Sequence, residues 1–304
     1  MGATVSGHGN GQKRSRQPMT DFPRPSDTDL LGLEFDAELR RAHFALVPGV
    51  ARHDGALYGG TAIAVSVVAM EAATGRGSLW VTTQYVATAG LTDIIECTTH
   101  VLAKGRNVAQ AQVTGRHGDR VLFVSVGSTA TPRPGGMEGQ FLDSPDVSRP
   151  EDADPLVLGP ARSDGFRGFT SQVEYRLAEV RAATDPPPQL AMWARIRGGG
   201  GVTPASIAFV ADMVPGAIAR AVGLVGGGKS LDNSLRFGRI PEGEEWVLLE
   251  LRAQMAVGSH AHGSVKVWSR RGELLAVGGQ SANMMQMVTS QEFEAFVAPR
   301  PAAG

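Results

Sequence analysis

Two segments of the sequence are apolar almost all round, and they constrain the fold more than any other feature. One runs from Gly60 to Ala73, and the other from about Pro204 to Val222. Thr74-Gly75 ends the first segment, and Thr203 is suited to cap the second ahead of Pro204. A helix that is apolar all round must be wrapped by other structure, because it has no face to present to water. The sequence therefore predicts two enclosed helices.

Four β-prone segments follow each helix, with alternating polar and apolar residues or long apolar runs. The first set is Leu79–Ala87, Asp93–Ala103, Asn107–Gly115 and Val121–Ser128. The second set is Leu231–Arg239, Glu245–Val257, Gly263–Ser269 and Leu274–Gln280. Tyr85 matches Phe237 at an offset of 152 residues, and Gly118 matches Gly272 at an offset of 154. The common order of elements indicates a weak internal repeat.

One helix wrapped by antiparallel strands is the hotdog fold, and two copies in one chain make a double hotdog of the α+β class. Joining the two sheets protects edges that a single copy would leave open. A stretch with six prolines separates the halves and has the composition of a linker. The predicted organisation is a flexible tail (1–29), an N-terminal hotdog (30–130), a linker (131–160), a C-terminal hotdog (161–292) and a second tail (293–304).

Composition excludes several classes of protein. The net charge is −1, so the chain offers no strong basic field for a nucleic acid. The single cysteine, Cys97, rules out an intrachain disulfide framework and is expected to be a packed strand residue. The longest apolar stretch, Ala62–Met70, is far below the roughly 20 residues of a membrane span, and the first residues lack the apolar region of a secretory signal. We expect a cytoplasmic protein.

The stretch from Gly223 to Ser230 matches the phosphate-binding pattern G-x-x-x-x-G-K-[ST]. That pattern binds phosphate when a strand precedes it and a helix follows it. Here the predicted order is reversed, so we interpret the glycines as a connection from helix to strand.

A carboxylate, Asp212, interrupts the second apolar helix. Burying an ion without partners costs several kcal/mol, so either polar groups converge on it or it lies at an exposed edge, for example beside Arg220. Pro215 could kink the helix at this point. Ser230 and Gln280 open and close predicted strands, and each taken alone is typical of a cap or a structural amide.

Taken together, these residues resemble the acyl-CoA thioesterase II family, whose members are double hotdogs. The resemblance runs from about Leu57 to Asn283. In the first half it depends on Tyr58-Gly59-Gly60 ahead of the helix and Gly105-Arg106 on a strand. In the second half it depends on Ala211-Asp212, Ser230-Leu-Asp232-Asn-Ser234, Phe237-Gly-Arg239, Glu245-Trp246-Val-Leu-Leu and Gln280.

The resemblance implies that an acyl-CoA substrate is hydrolysed to a carboxylic acid and CoA, without a metal, a cofactor or a covalent intermediate. By resemblance Asp212, Ser230 and Gln280 hold one water, with Asp212 as general base. The N-terminus of the first helix, at Gly59 and Gly60, is the candidate site for the thioester oxygen. These expectations place the protein in fatty acid metabolism.

The sequence departs from the family at four places. Ser281-Ala282 stands where Glu-Gly is frequent, and Asn233 and Gly238 stand where histidines are frequent. Thr82-Thr83-Gln84 occupies a strand that often carries a histidine near the substrate. These departures leave the acyl-chain length open.

Two alternative functions remain at this stage. The departures are also consistent with a hotdog that binds acyl-thioesters without hydrolysing them. A hydratase or dehydratase is a more distant alternative, because no histidine lies between His117 and His260. His260 and His262 share one strand face, which suits a structural role or an edge near CoA better than a metal site, since two ligands are too few for zinc. Sheet edges also make a homo-oligomer an expected option.

Overall fold

A computed structural model describes residues 22–158, 165–182, 190–289 and Glu292. The α-helices in these residues are α1 (Pro25–Leu31), α2 (Gly59–Thr74), α3 (Pro204–Val210) and α4 (Val214–Ala221). The strands are β1 (Glu34–Phe35), β2 (Arg41–Ala45), β3 (Gly77–Tyr85), β4 (Ile94–Lys104), β5 (Val108–His117), β6 (Arg120–Ala130), β7 (Asp146–Val147), β8 (Asp154–Pro155), β9 (Val173–Leu177), β10 (Val180–Ala182), β11 (Leu190–Ile196), β12 (Val225–Phe237), β13 (Val247–Val257), β14 (His260–Trp268) and β15 (Leu274–Val288). None of the helices in the described ranges is long and apolar enough to cross a bilayer.

Thirteen strands form one continuous antiparallel sheet in the order β1-β2-β4-β5-β6-β3-β12-β15-β14-β13-β11-β9-β8. The strands on either side of the central β3–β12 pair follow the same order, since β6, β5, β4 and β2 correspond to β15, β14, β13 and β11. This is the predicted α+β double hotdog. All eight predicted strands are present, whereas β9 and β11, which complete the second half, were not predicted.

The junction between the halves lies on the axis of the internal repeat. In the β3–β12 ladder Thr82 pairs with Ser234, and the two are 152 residues apart, the offset that relates Tyr85 to Phe237. Each half therefore contributes the same strand to the junction. Because these strands pair with each other, neither half leaves its inner edge open, and both outer edges are strands of two residues.

Helix α2 is enclosed as predicted, with nearly all its side chains buried. It begins at Gly59, and Gly75 ends it in the left-handed conformation (φ 67°), which glycine adopts without steric cost. Cys97 on β4 is also buried in the core, and burial raises the pKa of its thiol to about 12. Gly105 and Arg106, however, lie in the turn after β4 and not on a strand.

The second apolar segment is not one helix, as predicted, but two. Helix α3 begins with a capping box, in which Thr203 Oγ1 accepts from the Ser206 amide at 3.0 Å. It ends at Val210, and α4 begins at Val214. Pro215 explains the break, because its ring clashes with the carbonyl four residues earlier and it has no N–H to donate. Asp212 lies in the gap between the two helices.

Residues expected in the flexible tail form a structured element. The expectation for residues 1–29 is wrong from Pro25 onward, because Pro25–Leu31 is helix α1, while residues 1–21 and 293–304 lie outside the described residues. Arg24 Nη1 donates to Glu71 Oε2 at 2.8 Å, and Asp27 Oδ1 accepts from Thr203 Oγ1 at 2.7 Å. These four residues form what we call the N-terminal clasp, which connects α1 to both halves.

Part of the predicted linker packs against the C-terminal half. Strand β7 lies within it, and the Trp193 indole donates to the Ser148 carbonyl at 2.8 Å. Ala153 is buried in a small second core with Trp193, Trp246 and Trp268. This core covers the outer face of the C-terminal sheet, so residues 146–155 belong structurally to that half.

Candidate active site

Asp212 is buried between the two hotdog halves, with 8% of its surface exposed. Its Oδ1 accepts from Gln280 Nε2 at 2.5 Å and from Asn233 Nδ2 at 2.9 Å. Arg220, the alternative partner, is exposed on α4. The first of the two interpretations of Asp212 is therefore correct, because polar groups converge on a buried carboxylate.

Gln280 contacts both of the other residues that the family resemblance singled out, Asp212 and Ser230. Its Nε2 also donates to Ser230 Oγ at 2.7 Å, so a single amide nitrogen contacts both the carboxylate and the hydroxyl. Gln280 is 1% exposed, and its Oε1 has no hydrogen-bond partner among the described residues. The structure thus brings Asp212, Ser230 and Gln280 together and leaves a buried acceptor oxygen beside them.

A β-bulge places Ser230 on the same face of the sheet as Gln280. Ser230 pairs with Ala282, and Asp232 pairs with Ser281, so Leu231 is an extra residue in β12. In a regular strand Ser230 and Asn233 would point to opposite faces, because they are three positions apart. The extra residue changes that alternation, which is a common way for a strand to redirect a side chain toward a site.

The N-terminal half supplies the backbone that faces the carboxylate. The Gly60 amide N–H donates to Asp212 and lowers the pKa of its carboxyl group. A Cβ on Gly59 would lie 2.5 Å from Asp212 Oδ2, so only glycine allows this approach. Tyr85 on β3 donates to the Gly59 carbonyl at 3.0 Å and thereby fixes the start of α2.

All three tyrosines of the chain surround Asp212. Burial raises the pKa of the Tyr58, Tyr85 and Tyr175 hydroxyls, and the negative charge of Asp212 raises each of them further. They therefore stay protonated and neutral. Tyr58 stacks on Phe169 with ring centroids 3.7 Å apart, while the Tyr175 hydroxyl has no hydrogen-bond partner among the described residues.

Burial raises the pKa of Asp212 to about 6. The hydrogen bonds from Asn233, Gly60 and Gln280 act in the opposite direction, and so does the positive charge of Arg52. Each of these neutral donors therefore stabilises the ionised carboxylate more than the positive charge of Arg52 does. A carboxylate with this pKa is largely ionised near neutral pH and is a stronger base than an exposed aspartate, as a general base requires.

Asn233 is the residue of this site that sequence reasoning missed. It was noticed only as a departure, at a position where the family often has histidine. The sequence did offer one signal for it. Asn233 stands two residues before the apolar Leu235 on β12, and residues two apart on a strand share a face, so Asn233 is buried as Leu235 is.

Other candidate residues lie outside this cluster. Asp232 Oδ1 accepts from the Ser281 amide at 2.8 Å, and His262 Nδ1 lies 3.0 Å from Ser281 Oγ on the outer face of the sheet. The stretch from Gly223 to Ser230 lies after helix α4 and mostly within β12, which is the order predicted and the reverse of a phosphate-binding loop.

Comparison with known proteins identifies relatives of this chain. Residues 150–284 match the family model of the acyl-CoA thioesterase C-terminal domain. A protein assigned as a thioesterase from Novosphingobium aromaticivorans is 30% identical, with a TM-score of 0.73 over 84% of this chain and 98% of that one. The tesB protein of Mycobacterium avium subspecies paratuberculosis is 21% identical, with a TM-score of 0.69 over 86% and 98%. The acyl-CoA thioesterase II TesB2 of Mycobacterium marinum is 18% identical, with a TM-score of 0.64 over 88% and 100%.

No curated protein matches the chain. The joined sheet with its enclosed helices and the 30% identical relative together define a double-hotdog thioester hydrolase. The chain belongs to the acyl-CoA thioesterase II family, as its sequence motifs indicated.

Proposed function

We propose that this thioesterase hydrolyses acyl-CoA to a free carboxylic acid and CoA by direct attack of a water that Asp212 activates. The observation that carries the proposal is the buried contact of Asp212 with Gln280, which also contacts Ser230. These residues come from the helix break, β15 and β12, so only the folded chain assembles them.

In the proposed reaction Asp212 accepts a proton from water while the water oxygen attacks the thioester carbonyl carbon. The resulting tetrahedral intermediate collapses, the carbon–sulfur bond breaks, and the CoA thiolate takes the proton back from Asp212. Ser230 and Gln280 orient the water. The N-terminus of α2, which begins at Gly59, faces the developing oxyanion, while the Gly60 N–H donates to Asp212. The products are one carboxylic acid and one CoA thiol, and no acyl-enzyme forms.

The proposal extends to the setting of the enzyme. An acyl-CoA substrate places it in lipid metabolism, and we propose that it acts in the cytoplasm, where acyl-CoA is available. The net charge of −1 gives no general attraction to the anionic CoA. Binding must therefore depend on local contacts, and an assembly of several copies stays a prediction.

The test compares wild type with Asp212→Asn, which keeps the shape of the side chain but removes its basicity. We expect kcat for thiol release from short, medium and long acyl-CoAs to fall by about 10²–10⁴. The matched control is Asp119→Asn in the exposed turn between β5 and β6, which should keep wild-type rates. Equal rates for wild type and Asp212→Asn would refute the assignment.

A single turnover in heavy-oxygen water tests the direct attack. The heavy atom should appear in the product acid, while the enzyme stays unlabelled. Label in Asp212 would instead indicate an acyl-aspartate intermediate.

A further inference from the structure

Asn233 is held in the molecule as firmly as any member of the cluster. It is 1% exposed, and its backbone pairs with Thr83 of β3 on one side and Gln280 of β15 on the other. It therefore lies at the junction of the two halves, next to the strand that carries Gln280. Its Nδ2 contacts Asp212 Oδ1 at 2.9 Å.

Gln280 gives the carboxylate only one donor. Its Nε2 has two N–H groups, and the contacts with Asp212 Oδ1 and Ser230 Oγ use both of them. Asn233 gives the same oxygen a second donor from a different strand. Two donors from two strands fix the plane of the carboxylate and direct Oδ2 toward Gly59 at the start of α2.

We propose that Asn233 is a positioning residue for hydrolysis, which holds Asp212 in its basic, correctly oriented form. The inference rests on the proposed function, because it assigns Asn233 a role through Asp212. Asn233 contacts Asp212, and its proposed role is exerted through that carboxylate, so we assign it a positioning role and not a catalytic one.

The other groups that face Asp212 do not fix its orientation, so the amide side chains must do so. Tyr58 before α2, Tyr85 on β3 and Tyr175 on β9 are neutral hydroxyls, and Arg52 acts only through space. Among the described residues no cation bonds directly to the carboxylate. Of the hydrogen bonds that favour its ionised form, the one from Asn233 has the largest effect.

The decisive variant is Asn233→Leu, which keeps the approximate volume of the side chain and removes both the N–H donors and the carbonyl oxygen of its amide. The acidic limb of the kcat profile should start near the Asp212 pKa of about 6 in wild type. Loss of one donor to the ionised form should move it up by roughly 1 to 2 pH units. The KM should change less than about threefold, because Asn233 acts through Asp212 in this proposal.

Two further variants separate positioning from simple structural damage. Asn233→His retains a ring N–H donor and should restore the acidic limb toward the wild-type position. Asn283→Leu makes the same change on the outer face of β15 and should leave the profile unchanged. An Asn233→Leu enzyme that folds and shows the wild-type profile would overturn the inference.

Infrared titration distinguishes a failure of this inference from a failure of the proposed function. The carbonyl stretch of protonated Asp212, identified by its loss in Asp212→Asn, should titrate at higher pH in Asn233→Leu. If the titration shifts but Asp212→Asn stays active, Asp212 is not the base and the proposed function fails. If Asp212→Asn is inactive and the titration does not shift, only the role of Asn233 is wrong.

Discussion

At the scale of single residues, this site is a buried charge held by neutral groups. Asp212 gains hydrogen bonds from two amide side chains and one backbone N–H, and burial still leaves its pKa at about 6. Desolvation therefore outweighs the donors. The result is a carboxyl group that gains or loses its proton at a pH near neutrality, as a general base must.

Gly59→Ala tests how tightly the carboxylate is enclosed. The new Cβ would lie 2.5 Å from Asp212 Oδ2 and 3.2 Å from the Tyr85 ring, so the carboxylate must move. We expect kcat to fall by at least about 10-fold, since a small misplacement of a reacting group is costly. Steady-state kinetics measures this loss.

Gly216→Ala in α4 is the matched control for Gly59→Ala. Nothing lies within 4 Å of its added Cβ, and alanine favours helix by about 0.5–1 kcal/mol. This variant should keep wild-type kcat and be slightly more stable. Full activity of Gly59→Ala would show that the carboxylate has more room than its geometry indicates.

At the scale of elements, two irregularities make the site. The break between α3 and α4 places the Asp212 side chain within reach of its partners, and the bulge at Leu231 turns Ser230 toward Gln280. A continuous helix and a regular strand would satisfy more backbone hydrogen bonds. Both irregularities lie within a few residues of the site, as such departures often do.

Thr203→Val tests the element that leads to Asp212. Thr203 Oγ1 caps α3 through the Ser206 amide and donates to Asp27 Oδ1, and valine does neither. We expect a loss of about 1–2 kcal/mol in the free energy of unfolding. Urea denaturation measures it, and Thr203→Ser, which keeps the hydroxyl, should lose less than about 0.5 kcal/mol. Equal losses in the two variants would mean that the methyl group, and not the hydroxyl, stabilises this end of the helix.

At the scale of the whole molecule, the two halves share one sheet and one N-terminal clasp. The clasp contains a buried carboxylate, Glu71, which accepts from Arg24 and from the Ser78 amide, both at 2.8 Å. Burial outweighs the Arg24 guanidinium and raises the pKa of Glu71 to about 7. The folded protein therefore binds this proton more tightly than the unfolded chain does.

Glu71 should make stability depend on pH. Its contribution to the free energy of unfolding is complete below its ordinary pKa of 4.5 and is lost as the pH rises to about 7. The total change is on the order of 3 kcal/mol. Glu71→Gln stays neutral and can still accept from Ser78, so it should lack this dependence. Denaturation midpoints at several pH values measure the difference.

Glu96→Gln on the exposed face of β4 is the control for Glu71→Gln and should follow the wild type at every pH. A difference between wild type and Glu71→Gln that stays constant from acidic to neutral pH would contradict the role of Glu71.

The sequence by itself determined the double hotdog, because two helices without a polar face must be enclosed and the strands after each follow one pattern. It also singled out Asp212, Ser230 and Gln280, but only through their resemblance to a family. Tertiary structure decided how they meet. The bulge at Leu231 and the contact of Asn233 depend on pairing between strands distant in sequence, which no local pattern records. The same holds for the clasp, since Arg24 acquires its role only where α1 packs against α2.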